Sequence, residues 1–202
     1  MRNPHALLAV VLILLASMAV GDESQQGFDA YSSADYETAL SIWQPLAESG
    51  DAGSQFGLGQ MYGNGFGVMM DDDLAIKWYG LAADQGHAQA QNNLAVMHQN
   101  GWGVPQSDVV AIKLFTLAAE QGDIEAMLAL GRFYSMDFAA EYDPVVAYKW
   151  FSVAMLLDDY DGKAKREILV ATMTVEQVAA GDGLVQVWSD SHTEVLANQQ
   201  SD

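Results

Sequence analysis

Apolar residues recur every three or four positions along most of this chain, which is the spacing of one face of an α-helix. One segment places Leu74, Trp78 and Ala82 four residues apart, and a second apolar set follows one residue behind it. A stripe of this width is typical of a helix that buries one face and exposes the other. The pattern predicts an all-α protein built from amphipathic helices.

Glycines and short polar residues mark where these helices begin and end. Gly50 and Gly86 are predicted to end helices, because glycine takes the left-handed conformation there without strain. Asp35 is a candidate N-cap, and Asp71–Asp73 precede another helix, where carboxylates accept hydrogen bonds from first-turn N–H groups. In a later segment Pro144 replaces the capping aspartate, at a position that tolerates a first-turn proline.

The helices belong to a repeat. Residues 52–87 and 88–123 align without a gap, and 17 of 36 positions are identical. Internal identity at a fixed period indicates a repeat array, in which each unit is one pair of helices, here named A and B. A third, degenerate copy covers 124–159, because it keeps the register of apolar positions but has lost the glycines of the loop between its helices.

The array divides the chain into segments of distinct character. A degenerate first repeat precedes the array, because its apolar positions lie 36 residues before their counterparts. Thr174 to Gln177 fits a capping box that opens a last helix. The ends of the mature chain, 22–26 and 189–202, are predicted to be unstructured. The predicted segments are a signal peptide (1–21), a degenerate N-terminal repeat (27–51), three repeats (52–87, 88–123 and 124–159) and C-terminal capping helices (160–190).

Helix A of each repeat is expected to bury the same set of positions. Leu58 and its counterpart Leu94 are predicted to be buried between helices A and B. Gly59 is expected to allow a neighbouring helix to approach closely. His98 occupies the position of Tyr62, so a packed ring is a better interpretation of it than a metal ligand.

The first residues have the features of a secretory signal. Arg2 precedes the apolar run 6–18, which is shorter than the ~20 residues that a spanning helix needs. Small residues at Ala19 and Gly21 favour cleavage before Asp22, with a site after Ala19 as a second option. An uncleaved N-terminal anchor is the alternative. The mature chain is expected to be exported, periplasmic or secreted, and not stably inserted in the membrane.

Composition restricts the function further. The chain has 27 acidic and 8 basic residues among 202, a net charge of −19, and no cysteine. A nucleic-acid partner is therefore not expected, because that binding needs a cationic surface. Disulfides, thiolate metal sites and cysteine nucleophiles are excluded.

Two motifs together resemble a known family. Gln55, Leu58, Gly59 and Tyr62 follow the tetratricopeptide pattern, but the unit is two residues longer. The extra length falls in the loop 65–68 (Gly-Phe-Gly-Val), which with its counterpart and the Ala-Ala-Asp-Gln-Gly ending is similar to the Sel1-like repeat family. The resemblance implies a right-handed superhelix of antiparallel helix pairs with a concave groove. Family members act mostly as adaptors that hold partner proteins, including in bacterial envelopes.

The resemblance implies a protein-protein interaction scaffold rather than an enzyme, and a monomer without cofactors. A cysteine-rich branch of the family is linked to β-lactam binding and hydrolysis, so a hydrolase of cell-wall or β-lactam type substrates is the alternative, although this chain lacks cysteine. A purely structural element of an envelope assembly is a third interpretation.

The sequence contains no HExxH, GxSxG or P-loop motif, and no catalytic or metal-ligand set is predicted. The turn at 159–162 fails as a calcium loop, since Leu157 would occupy its first ligand position.

A peptide or protein partner is predicted to bind the concave face, which helices A line. On that face Phe56 is the predicted aromatic anchor, with a solvated face and Phe56 packed into the neighbouring helix as the alternative. The row of lysines at 77, 113 and 149 is interpreted as aliphatic stems covering aromatic neighbours, or alternatively as a cationic stripe for an acidic partner. The predicted groove residues are Phe56, Gln60, Gln89, Asn92, Val96, Gln99, Glu125, Leu128 and Arg132.

The signal segment predicts how the protein is processed. Export followed by cleavage should leave a mature chain that begins near Asp22, because Gly21 and Ala19 supply the small residues that signal peptidase needs. N-terminal sequencing and the intact mass of exported protein measure this directly. Recovery of a membrane-bound chain that still carries residues 1–21 would contradict the prediction.

Overall fold

The regular structure is helical throughout the part of the chain that the computed structural model describes, residues 23–136 and 142–199. The predicted signal segment lies outside these residues. The predicted all-α class is confirmed. The helices are α1 (23–32), α2 (Tyr36–Glu48), α3 (Ala52–Asn64), α4 (Asp72–Asp84), α5 (Ala88–Asn100), α6 (Asp108–Ala119), α7 (Ile124–Ser135), α8 (Pro144–Leu156), α9 (Tyr160–Val170), α10 (Val175–Ser191) and α11 (Thr193–Gln199).

The chain forms two compact units. Among the described residues, unit 1 takes 23–94 together with Trp102–Val104, and unit 2 takes Ala95–Gly101, 105–136 and 142–199. Unit 1 has a core around Trp43, Leu58 and Met61. Unit 2 has a larger core in which α6, α7 and α8 contribute residues such as Phe115, Leu130 and Trp150, and α10 adds Trp188.

The start of each helix B is held by a side chain at one position of the repeat. Asp35, Asp71, Ser107 and Asp143 lie 36 residues apart, and each accepts a hydrogen bond from a first-turn backbone N–H. Pro144 stands in the first turn of α8, as expected. The predicted loss of the capping aspartate in the third repeat is wrong, because the capping position is one residue earlier and Asp143 fills it.

A second set of caps, again 36 residues apart, holds the helices A. Asp51, Asp123 and Asp159 accept N–H hydrogen bonds at the starts of α3, α7 and α9. At α5 the cap is His87, whose Nδ1 accepts from the backbone N–H of Ala90 at 3.3 Å. The residues at 159–162 are thus the cap and the first turn of α9.

The residue before each helix-A cap has a left-handed backbone. Gly50, Gly86 and Gly122 have φ of 104°, 87° and 94°, which only glycine adopts at low cost. The fourth member of this series is Asp158, with φ of 61°. The helix-ending roles of Gly50 and Gly86 are confirmed. The backbone register therefore continues past the third repeat, and α9 begins where a further helix A would begin.

Helices A and B approach closely at glycine. A Cβ atom on Gly59 would stand 2.5 Å from Cδ1 of Tyr79, and one on Gly131 would stand 2.3 Å from Cε1 of Phe151. Distances this short leave no room for a side chain, so the aromatic ring of helix B lies directly on the backbone of helix A. The close approach expected at Gly59 is confirmed.

Buried glutamines join consecutive helix pairs in unit 1. The Gln55 amide donates to the carbonyl of Ala47 at 3.1 Å, and Gln91 repeats this bond to Ala83 at 3.1 Å. Both side chains are nearly inaccessible, so the hydrogen bond offsets the cost of burying an amide. The equivalent position in the third repeat is Met127, which is fully buried in the core of unit 2.

Both ends of the described part of the chain are more ordered than expected. Residues 23–26 are helical, and the Ser24 carbonyl accepts a hydrogen bond from the indole N–H of Trp43 at 3.1 Å. Near the other end α11 packs Val195 and Leu196 against the core of unit 2. The capping box at Thr174 is confirmed, and α10 runs to Ser191.

The leucines of helix A differ in burial, which predicts unequal losses of stability. Leu58 is 0% exposed, whereas Leu94 is only partly buried, so the expected burial of Leu94 is wrong in degree. Leu58→Ala should lower the free energy of unfolding by about 2–5 kcal/mol, and Leu94→Ala by clearly less, because less contact is lost at a half-buried site. Urea unfolding measures both. Equal losses at the two positions would contradict this assignment.

The histidine cap of α5 predicts a pH dependence of stability. Burial lowers the pKa of His87 below 6.5, and its ring stacks on Phe56 at 4.6 Å between centroids. The unfolded chain therefore binds the proton more tightly, and stability should fall as pH drops below about 6.5. In urea unfolding at about pH 7.5 and about pH 5, His87→Asn should reduce this loss, since asparagine caps without titrating. An identical loss in the wild type and the variant would refute the role of His87.

Candidate protein-binding site

The predicted groove residues divide into buried and accessible groups. Phe56 is 4% exposed and Asn92 is 5% exposed, so neither lies on an open surface. The ring of Phe56 packs between Phe28, Tyr79 and His87 with centroid distances of 6.2, 6.0 and 4.6 Å. The anchor role of Phe56 is therefore wrong, and the alternative of a ring packed against neighbouring helices is correct. Gln60, Val96, Gln99 and Leu128 are partly exposed, and Gln89, Glu125 and Arg132 are exposed.

Arg132 lies in a cleft between α7 and α9 in unit 2. The two helices occupy equivalent positions of the repeat, and Ile168 of α9 stands 36 residues after Arg132. The cleft has a volume of about 400 Å³. Its lining residues are Arg132, Ser135, Phe151, Lys165, Ile168, Leu169 and Thr172.

The cleft combines an apolar floor with a cationic rim. Phe151 and Leu169 are at most 8% exposed and form the floor, while Ile168 is 73% exposed and open to a ligand. Lys165 pairs with Asp161 of its own helix at 2.8 Å, on a solvated surface where such a pair contributes little. The guanidinium of Arg132 and the ammonium of Lys165 can therefore attract a carboxylate that enters the cleft.

A polar network holds α9 and α10 against α8. Arg166 donates to Ser152 Oγ at 2.9 Å and to the hydroxyl of Tyr148, and Tyr148 donates to Asp182 Oδ1 at 2.6 Å. Burial raises the pKa of Tyr148, so its hydroxyl keeps the proton that it donates. Arg166 occupies the repeat position of Leu130. Because an arginine stands where the repeat has a leucine, the apolar pattern of a helix A is interrupted in α9. That pattern was the sequence feature that could have identified α9 as a helix A.

A second cleft of about 420 Å³ lies between α9 and α10. Its wall is apolar apart from Thr174 and Asp182, and the carboxylate of Asp182 already accepts from Tyr148. A ligand in this second cleft would make hydrophobic contacts but would find no free charged group. The cleft at Arg132 is the better candidate.

Two lysines of the row place their ammonium groups over aromatic rings. Lys77 lies over the Trp78 ring at 4.6 Å, and Lys149 lies over the Trp150 ring at 3.8 Å. Lys149 also pairs with Glu120 at 3.1 Å. At these two positions the expected aromatic neighbours are present, but the ammonium group rather than the aliphatic stem lies over the ring. Lys113 is exposed and is followed by Leu114 rather than an aromatic residue.

The structure brings one serine next to a histidine, which bears on the hydrolase alternative. Ser191 Oγ lies 2.9 Å from His192 Nδ1, and Glu120 lies 3.3 Å from Nε2. Nδ1 is also 2.8 Å from the carbonyl of Trp188, to which it must donate because a carbonyl only accepts. The serine hydroxyl is within 3.0 Å of the Val187 carbonyl. Nδ1 is thus committed as a donor, and this arrangement does not activate Ser191.

Two further features of the described residues concern ligands and membranes. No group of three or more His, Asp or Glu side chains within them is placed to hold a metal ion. Among the same residues, no helix has the length and apolar character needed to cross a bilayer.

Comparison with known proteins identifies the repeat. A family model described as Sel1 repeat matches residues 52–87, 88–123 and 124–159, which is more than half of the chain. No curated protein matches the chain.

Two solved structures extend the comparison. The chain is similar to a protective antigen of uropathogenic Escherichia coli that displays an SLR fold, with 30% identity, a TM-score of 0.73 and coverage of 82% of this chain and 36% of that one. This chain thus spans about a third of the antigen's length. A Sel1 repeat protein from Oxalobacter formigenes is 32% identical, with a TM-score of 0.58 and coverage of 63% of this chain and 96% of that one.

These matches agree with the stacked helix pairs described above. The expected fold class of Sel1-like helix pairs is confirmed. Sel1 repeat proteins are generally protein-interaction scaffolds. The chain belongs to the Sel1 repeat family.

Proposed function

We propose that this chain is a non-catalytic scaffold that holds a partner protein, and that the cleft between α7 and α9 receives the partner. The observation that carries the proposal is the pairing of two cationic side chains with an apolar floor in a chain of net charge −19. Most of the residues that line the cleft belong to α7 and α9, which start at helix A positions, in line with a partner bound along the helix A face. The export expected from the signal segment belongs to the same proposal.

The chemistry of the cleft specifies the partner segment. The exposed Ile168 and the floor of Phe151 and Leu169 suit one large apolar side chain. Arg132 and Lys165 on the rim suit a carboxylate beside that side chain, from aspartate, glutamate or a C-terminus. The bound segment is therefore a short acidic and apolar peptide. The hydrolase alternative lacks support from the geometry at Ser191, as described above.

A double substitution tests the cleft. Arg132→Glu with Ile168→Ser should weaken partner binding at least tenfold, about 1.4 kcal/mol, because it reverses one rim charge and removes the exposed apolar contact. Peptides selected from a random display library against the wild type should include a class that carries an acid next to a large apolar residue. Their dissociation constants with wild type and variant measure the effect.

The chain offers a matched control. Lys113→Glu with Leu117→Ser makes the same kinds of change on α6, where both side chains are exposed, and should leave binding unchanged. Far-UV circular dichroism confirms that both variants keep their helices. Equal affinity of these acidic peptides for the wild type and the Arg132 variant, or a selection that yields no such peptide, would reject the cleft as the binding site.

A further inference from the structure

Four large apolar side chains are exposed on the loops of unit 1. Met69 is 89% exposed, Met70 65%, Trp102 53% and Phe66 41%. These four residues are called the loop edge below. Single exposed apolar residues are ordinary, but several within one part of a fold mark a surface that another molecule covers.

The fold holds the loop edge in place. Phe66 stacks on Tyr36 with centroids 5.2 Å apart and rings 12° from parallel. A Cβ atom on Gly65 would stand 3.3 Å from the Cβ atom of Met70, so the methionine segment lies against its own loop. The apolar side chains are thus presented from a packed loop rather than from a free chain end.

The loop between α5 and α6, which carries Trp102, lies against the start of α4. A Cβ atom on Gly103 would stand 2.8 Å from the Cβ atom of Asp72 and 2.7 Å from Cδ1 of Ile76. This contact places the loop that carries Trp102 beside Asp72, only two residues along the chain from Met70. The methionines and Trp102 therefore belong to one region of unit 1.

The methionines are not a requirement of the repeat. The positions equivalent to Met69 and Met70 in the next repeat are Pro105 and Gln106, which belong to an equivalent loop. The loop between helices A and B can thus form without large apolar side chains at these two positions. Their exposure here needs a reason outside the fold.

The negative charge of unit 1 favours a positively charged partner. The described residues of unit 1 include ten acids, from Glu23 to Asp84, and one base, Lys77, a difference of nine negative charges. Asp71–Asp73 follow the methionines directly, and the exposed Glu37 lies next to Tyr36. A partner that covers the loop edge therefore gains from positive charge around its apolar face.

We propose that the loop edge docks a cationic amphipathic helix of a partner protein. Such a helix presents apolar side chains at positions i, i+3, i+4 and i+7, with lysine or arginine on its flanks. Unbranched methionines adapt to apolar surfaces of different shape, which suits them to receive such a stripe. This surface is distinct from the cleft at Arg132, and its partner has the opposite charge.

A synthetic peptide tests the proposal on the full mature chain. The probe is a helix of about five turns with leucine on one face and lysine elsewhere. Trp102 reports its binding, because the other four tryptophans are at most 6% exposed. Binding should shift the tryptophan emission to shorter wavelength and protect it from acrylamide, and the affinity should weaken as salt is added.

Two control peptides separate charge from pattern. One has the same composition in an order that forms no apolar stripe, and the other has glutamate in place of lysine. Both should bind at least tenfold more weakly than the probe. Equal binding of the scrambled peptide, or of the glutamate peptide, would overturn the proposal.

Variants locate the site. Met69→Ser with Met70→Ser should weaken peptide binding at least tenfold, and Glu37→Gln with Asp73→Asn should reduce its salt dependence. The matched control is Val109→Ser with Leu117→Ser, two residues of α6 that are 58% and 54% exposed, and it should bind as the wild type does. All of these side chains are exposed, so the melting temperature should stay within a few degrees of the wild type.

Two results would overturn the assignment of the surface. One is unchanged peptide affinity in the Met69 and Met70 variant. The other is a methionine-dependent dimer in sedimentation velocity that does not bind the peptide, which would make the loop edge a contact between copies of this chain.

Discussion

The fixed start of each helix from α2 to α9 is the constraint on which the structure depends. A helix A and a helix B can stack with constant register only if their first turns begin at the same positions of each 36-residue unit. The helices A begin at fixed positions because side chains accept first-turn hydrogen bonds at Asp51, His87, Asp123 and Asp159. A second series of caps fixes where the helices B begin. Because the starts are fixed, the glycine of helix A meets the aromatic ring of helix B at the same height in each pair where both are present.

One departure from the repeat adds contacts that a regular unit would not make, and another leaves large apolar side chains exposed. Arg166 replaces a core leucine and joins α9 to α8 and α10 through Tyr148 and Ser152. Met69 and Met70 stand where the next repeat has Pro105 and Gln106, and both remain exposed. A regular position serves packing, so an irregular and accessible position is the better guide to a binding surface.

The uneven charge of the chain gives its two candidate surfaces different chemistry. The cleft in unit 2 offers Arg132 and Lys165 to an acidic segment, whereas unit 1 carries ten acids and a single lysine among its described residues. Opposite local charges favour different partners and reduce competition between them. A scaffold that holds two proteins needs surfaces that do not accept the same segment.

The periodicity of the apolar residues determined the helical class and the repeat length, and capping and glycine signals, which act locally, marked several helix ends. The sequence also predicted a close helix approach at Gly59, and the structure shows that the ring of Tyr79 makes it. Which helix A side chains face outward was decided only by tertiary packing. Phe56 follows the spacing of an accessible face, yet the rings of Phe28, Tyr79 and His87 enclose it. Likewise, Arg166 ends the apolar pattern, although α9 keeps its cap and its place in register. Sequence spacing assigns a residue to one side of its own helix, but burial depends on which neighbouring side chains are large enough to cover it.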